Sequence, residues 1–287
     1  MRNSSFDVTN RLDMLEVVQG PSSHDREKTM ASAASTGAIY PDLASKTVLV
    51  TGGGSGIGEA IVRRFAAQGA KTAFIDIKEA ESRALAKELA AQGHNVHFEH
   101  ADLTDIAALR AAIGNIRGTF GGIQILINNA AHDERHATLE ITPEFWDDRI
   151  AVNLRHQFFA AQAVLPDMIE AKSGSIVNFG STSWMIGQGG MAAYTAAKSG
   201  VLGLTRSLAR DFGPYNIRVN AIAPGWIMTQ RQLDLWLNPE TEKELMQRQC
   251  LKRRLMPDEI ARATLFFASD EACACTNQQY VIDGGWV

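Results

Sequence analysis

The sequence predicts an α/β protein, a doubly wound, seven-stranded parallel sheet folded as a single domain. Three observations carry this. Short apolar runs alternate with longer segments of helical spacing from Thr47 to Ile282. A glycine-rich turn follows the first of those runs. After residue 40 roughly 250 residues remain, a common size for one α/β unit.

The first strand, Thr47 to Val50, is continuously apolar, as a strand covered on both faces should be. Thr51 to Gly58, T-G-G-G-S-G-I-G, turns the chain into a helix over Glu59 to Gln68, and Lys71 to Asp76 forms a second strand ending in a carboxylate. A helix over Ala80 to Ala91 leads to a third strand, Asn95 to His100, and a helix over Ile106 to Ile116 leads to a fourth, Ile123 to Asn128. A long helix-like stretch, Phe145 to Met168, precedes the fifth strand, Ser175 to Phe179. An alanine-rich helix bearing Tyr194 and Lys198 follows, then strands at Ile217 to Ile222 and Tyr280 to Ile282. Such alternation implies right-handed crossovers, with ligands bound beyond the carboxyl ends of the strands, as in the Rossmann type of sheet. Asp102, Asn128, Ser181, Pro224 and Gly225 all fall at or just after those ends.

Residues 1 to 40 differ from the rest. Gly20 to Gly37 is rich in Ser, Thr, Ala and charge without apolar periodicity, so a flexible extension is expected ahead of a domain at 41–287. Asp13 and Glu16 interrupt any signal-peptide core, and Met30 is a candidate start of a shorter product. A net charge of −4 provides no basic footprint for nucleic acid. No apolar run approaches the ~20 residues of a membrane span. Cys250, Cys273 and Cys275 fit neither a disulfide framework nor a zinc pattern, which suggests reduced thiols in a cytoplasmic protein.

The glycine turn has the order strand, turn, helix that a phosphate cradle needs. Gly52 permits the tight turn, Gly56 the close approach of backbone to a pyrophosphate, and Gly58 the packing of helix on strand. The helix N-terminus then presents N–H groups to the anion. No frame fits G-x-G-x-x-G, and no lysine stands where a nucleotide triphosphatase needs one. Asp76 is placed to accept hydrogen bonds from ribose hydroxyls and to repel a 2'-phosphate, which favours NAD over NADP; Lys78 works against that repulsion.

Tyr194 and Lys198 are four residues apart and share one helix face. A lysine beside a tyrosine favours the phenolate, so the pair forms a candidate base.

Together these pieces resemble the short-chain dehydrogenase/reductase family over residues 41–287. Thr51 to Gly58 matches its cofactor loop, with Gly52, Ser55, Gly56, Ile57 and Gly58 against the cofactor. Asp102-Leu103 resembles its adenine contact, and Asn128-Asn129-Ala130 its structural N-N-A motif. Asn153, Ser181, Tyr194 and Lys198 match its catalytic tetrad, and Pro224, Gly225, Ile227 and Thr229 belong to a segment that meets the nicotinamide amide and phosphates. Ala131 stands where many members have glycine. The resemblance implies Tyr194 as general base, Lys198 lowering its pKa and holding a ribose, Ser181 bonding the reacting oxygen, and Asn153 holding a relay water. For Asn153 the residues also allow a local kink-capping role. A homotetramer is implied as well.

His132-Asp133-Glu134-Arg135-His136 places five polar residues beside the cofactor strip, a density of donors and acceptors suited to a polyhydroxylated ligand. Ser183, Trp184 and Trp226 complete a candidate substrate set with Glu134 and His136. D-E-R-H, R-I-A-V-N-L-R-H at Arg149 to His156, S-W-M at Ser183 to Met185, R-Q-C-L-K at Arg248 to Lys252 and the ending V-I-D-G-G-W, Val281 to Trp286, are similar to the D-xylose and related aldose 1-dehydrogenase branch. That branch more often has D-D-R-H, so Glu134 is a departure. The resemblance implies oxidation of a cyclic sugar at its anomeric carbon to a lactone. Other readings are a reductase or dehydrogenase of an oxoacyl, sugar-acid or other ketone substrate, a dinucleotide-sensing binding protein, and a zinc enzyme using His132, His136 and His156. The last lacks H-E-x-x-H, and no metal is expected.

Overall fold

The computed structural model of the protein describes residues 37–287. The expected extension up to residue 36, and the candidate start at Met30, lie outside the described residues. Seven parallel strands form one sheet in the order β3-β2-β1-β4-β5-β6-β7. They are β1 (Thr47–Thr51), β2 (Lys71–Asp76), β3 (Val96–His100), β4 (Ile125–Asn128), β5 (Gly174–Phe179), β6 (Ile217–Pro224) and β7 (Gln279–Ile282). The chain winds from β1 outward to β3, then crosses back to place β4 on the other side of β1. That reversal opens a crevice at the carboxyl ends of β1 and β4.

Helices cover both faces. α1 (Gly56–Ala67), α2 (Glu79–Ala91) and α9 (Pro257–Ala268) lie on one side, and α3 (Ile106–Phe120), α5 (His156–Ala171) and α6 (Ala192–Phe212) on the other. Alternate residues of one strand serve the two cores. Val48 and Val50 join Ile61, Phe65 and Ile260, whereas Leu49 joins Leu109, Ile113 and Val164. This is why β1 has no polar alternation: each of its side chains leaves water, contributing roughly 1.5–3 kcal/mol for a fully buried aliphatic. The helix after the glycine turn begins at Gly56, three residues earlier than its apolar periodicity suggested, because glycines carry no apolar signal.

The stretch expected as one helix over Phe145–Met168 is interrupted. α4 (Pro143–Ile150) passes through a π-helical turn, Ala151–Arg155, before α5 begins. Two side-chain amides explain the widening. Asn153 Nδ2 donates to the Arg149 carbonyl at 2.9 Å and Gln157 Nε2 to the Asn153 carbonyl at 3.2 Å, so both compete for oxygens that an α-helix would use.

Two short helices after β6, α7 (Gln230–Leu235) and α8 (Pro239–Arg248), form a flap that the apolar pattern did not reveal. Their starts are nonetheless written in the sequence. Thr229 caps α7, and Asn238 with Thr241 makes a reciprocal capping box on α8, preceding Pro239.

Candidate active site

A cleft of about 860 Å³ runs along the carboxyl ends of the strands, from the glycine turn to the flap. All fifteen residues expected around the cofactor line it: Gly52, Ser55, Gly56, Ile57, Gly58, Asp76, Asp102, Leu103, Asn129, Tyr194, Lys198, Pro224, Gly225, Ile227 and Thr229. Two glycine positions are set by steric need. Gly52 has φ +67° and a Cβ there would meet Ala130 Cα at 2.8 Å, while a Cβ on Gly58 would lie 1.8 Å from the Gly52 carbonyl oxygen. The turn is therefore drawn tight under α1, leaving backbone N–H groups at the helix start for an anion. Asn129 Nδ2 donates to the Thr51 and Gly52 carbonyls, both at 3.0 Å, and so ties the turn to β4.

Asp76 ends β2, 7% exposed. Its oxygens accept the Gly54 and Lys78 N–H groups, each at 2.8 Å. Each oxygen keeps acceptor capacity for a ribose hydroxyl. Lys78 Nζ reaches Ser55 Oγ at 3.5 Å, so a cation also stands at this rim. Asp102 Oδ1 accepts both the N–H and the hydroxyl of Thr104 at 2.8 Å, which fixes the loop that buries Leu103. Cradle, helix start and buried carboxylate together fit a dinucleotide.

The reactive groups lie midway along the cleft. α6 carries Tyr194 and Lys198, and Lys198 Nζ lies 5.7 Å from the Tyr194 ring centroid and donates to the Phe179 carbonyl at 2.8 Å. Ser181 follows β5; its Oγ accepts the Ser183 N–H at 3.1 Å and hydrogen-bonds Tyr194. Burial raises the Tyr194 phenol well above its ordinary value, the Ser181 bond opposes that, and the Asp133 charge adds to it. Burial also lowers Lys198 to about 7. The sequence led one to expect Lys198 to lower the phenol; desolvation is instead the largest influence on both groups.

Asn153 is fully buried and does not line the cleft. Its Oδ1 accepts the His132 N–H at 2.9 Å, and its Nδ2 donates to the His132 and Arg149 carbonyls at 3.1 and 2.9 Å. The side chain thus pins the loop after β4 to the π-helical turn, the kink-capping role that the sequence left open. His156, three residues on, is fully buried with both ring nitrogens unpartnered; burial and the Lys198 charge lower it to about 3, so it is neutral.

Of the five residues expected at the substrate, Ser183 and Trp226 line the cleft, whereas Glu134, His136 and Trp184 do not. Residues 132–136 form an irregular loop after β4, and its side chains divide between the cleft and the protein behind it. His132, Asp133 and Arg135 meet the cleft. Glu134 turns to Arg149 at 2.7 Å, and the His136 ring packs edge-on against Phe145 with centroids 5.2 Å apart. His132 contacts Arg149, so these two of the three histidines considered for zinc face different neighbours. Asp133 accepts from Arg231 Nε at 3.0 Å and Gln232 Nε2 at 2.7 Å, and Gln232 Oε1 accepts from Trp226 Nε1 at 2.8 Å. Burial pushes the Asp133 carboxyl up, but the Gln232 and Arg231 bonds outweigh it and hold the group below its ordinary value. The Arg135 guanidinium stacks 4.3 Å from the Trp236 ring centroid. Trp236 and Trp286 complete the wall; Trp236 carried no recognisable motif, and Trp286 ended the V-I-D-G-G-W run without being expected at the substrate.

Residues 52–287 match the family model described as enoyl-(acyl carrier protein) reductase. A probable galactose dehydrogenase of Rhizobium meliloti is 50% identical over 247 residues, covering 86% of this chain and 96% of its own. A D-xylose 1-dehydrogenase of Caulobacter vibrioides is 45% identical over 249 residues, covering 87% and 98%. The crystal structure of a putative gluconate dehydrogenase from Agrobacterium tumefaciens superposes with a TM-score of 0.82 at 29% identity, covering 87% of this chain and 98% of that one.

Proposed function

The chain belongs to the short-chain dehydrogenase/reductase family, oxidoreductases that use a nicotinamide cofactor, and from that premise we propose that it oxidises a cyclic aldose of the D-xylose type at its anomeric carbon, with NAD, to the lactone. The observation that carries the reading is the convergence of Ser181, Tyr194 and Lys198 on the cleft that also holds the glycine cradle and Asp76. The identity with two sugar dehydrogenases supports the sugar.

When bound, the oxidised nicotinamide supplies a hydride acceptor. The chain supplies the rest. Gly52 to Gly58 hold the pyrophosphate, Asp76 the adenosine ribose, and Lys198 the second ribose. Once ionised, Tyr194 Oη takes the proton of the anomeric hydroxyl as the carbon–hydrogen bond breaks, and Ser181 Oγ bonds the same substrate oxygen. Asn153 acts as a positioning residue, since its amide fixes the loop that borders the substrate.

Burial of Asp76 beside the turn supports NAD. Lys78 competes with that preference, so the screen includes both cofactors. No helix among the described residues is long and apolar enough to cross a membrane. The family likeness and unpaired cysteines support a homotetramer in the cytoplasm. A reduction screen of NAD and NADP over aldoses, sugar acids, oxoacyl esters and simple alcohols tests the reading. Aldose oxidation with NAD is expected to lead; activity confined to oxoacyl or simple ketone substrates would replace it with the reductase alternative.

A further inference from the structure

Trp286 is the penultimate residue, and its backbone is built into a fixed turn. Asp283, 4% exposed, accepts the Gly285 N–H at 2.8 Å and the Val287 N–H at 2.9 Å. Gly284 and Gly285 have φ of +71° and +81°, and a Cβ at either would meet Gln249 or Cys250 below 3 Å. The two glycine carbonyls accept from Leu251 at 2.9 Å and Cys250 at 3.0 Å. The end of the chain is therefore clamped to the segment following α8, and the clamp puts the Trp286 indole on the cleft wall.

Three polar groups of that wall are buried without a partner among the described residues: Trp286 Nε1, Trp236 Nε1 and Ser183 Oγ. Buried indole N–H groups ordinarily find an acceptor, and a donor left without one costs free energy until a ligand supplies it. Trp226, on the same wall, already donates to Gln232. Two indoles with unpartnered donors, that of Trp236 already carrying the Arg135 guanidinium on its ring, suit a ligand with a C–H face and hydroxyls around it. An acyl chain would leave those donors unmet.

We propose that Trp286 and Trp236 form a sugar-binding wall, the indoles lying against the sugar ring while their N–H groups and Ser183 Oγ bond its hydroxyls, so that the C-terminal tail determines which aldose is accepted. This rests on the sugar reading above. It adds Trp236 from the flap and Trp286 from the last segment, neither of which the sequence placed at the substrate.

The test uses Trp286→Phe, Trp286→Ala and Trp236→Phe in the full chain, with kcat/KM for the best aldose and its monodeoxy analogues, and the cofactor KM. Trp286→Phe keeps an aromatic ring but loses the donor. It is expected to lose about tenfold on the parent aldose and little on the deoxy sugar lacking the bonded hydroxyl. Trp286→Ala should lose about a hundredfold on both, with the cofactor KM unchanged. Losses equal across all deoxy analogues in the Phe variants, or aldose kcat/KM within about twofold of wild type in every variant, would overturn the proposal. A wild type that oxidises no aldose overturns the sugar reading itself, and with it this wall. Aldose turnover by the wild type that the variants leave intact overturns the wall alone.

Discussion

The cofactor end of the cleft consists largely of backbone drawn together at one crossover, whereas the substrate end consists of side chains from three segments far apart in sequence. At the first end, Gly52 to Gly58 contact the end of β4 through Asn129, and two glycines are demanded by sub-van-der-Waals approaches. At the second, Asp133 and Arg135 from the loop after β4 meet Arg231, Gln232 and Trp236 from the flap, with Trp286 arriving from the chain terminus. Backbone constraints tolerate few residue types and so leave motifs. Side-chain walls tolerate many, which is how one scaffold can serve different substrates.

The largest effect should come from the reactive centre that both ends share. Tyr194→Phe removes the base while leaving the ring in place, and turnover is expected to fall by about 10²–10⁴. Cofactor affinity, read by fluorescence titration, should stay near wild type. Substantial turnover in this variant would detach the chemistry from Tyr194 altogether.

Gly58→Ala strikes the cofactor end alone. Its Cβ would lie 1.8 Å from the Gly52 carbonyl oxygen, and the obstacle is backbone, which cannot swing aside. We expect several-fold or greater weakening of cofactor binding, together with thermal destabilisation on the order of a few kcal/mol. A comparable shift in the pattern of aldose selectivity, with cofactor affinity intact, would erase the distinction between the two ends.

Much of the cofactor end was legible because its signals are local. A glycine string directly after an apolar run places turn, cradle and helix start within eight residues, and all the cofactor residues expected from it line the cleft. The π-helical turn was not legible, since it depends on where the amides of Asn153 and Gln157 point, not on their identity. Nor was the state of Tyr194. Spacing revealed its neighbour Lys198 but not the burial that raises the phenol and lowers the lysine. The flap could have been found from its caps, Thr229 and Asn238, rather than from apolar periodicity. Trp236 had no such marker, and the V-I-D-G-G-W run that ends in Trp286 did not show that its indole reaches the cleft.

Asp76→Ala sharpens the description of the cofactor end. The carboxylate is held by two backbone N–H groups and faces the cleft, with Lys78 beside it. Removing it should raise the NADP:NAD ratio of kcat/KM by about tenfold or more, since both a ribose acceptor and a repulsive charge disappear. An unchanged ratio would move the discrimination to another residue, with Lys78 the first to examine.

The smallest effect is expected at Glu134, and its contrast with Asp133 tests the substrate end most finely. The two residues adjoin and both are acidic, yet Asp133 lines the cleft and Glu134 does not. Glu134 leaves the cleft for an ion pair with Arg149 in which its own side chain is 45% exposed, so the pair contributes about 0–1 kcal/mol. Asp133 binds Arg231 and Gln232 across the cleft mouth, and Gln232 in turn holds Trp226. Asp133→Ala should therefore raise the aldose KM by about tenfold through a loosened flap, and Glu134→Ala should change it by less than about threefold. Cofactor KM should move in neither. Steady-state kinetics with the best aldose decide the matter: a larger loss at Glu134 than at Asp133 would mean that the loop turns over when substrate binds, bringing the side chain now paired with Arg149 into the site.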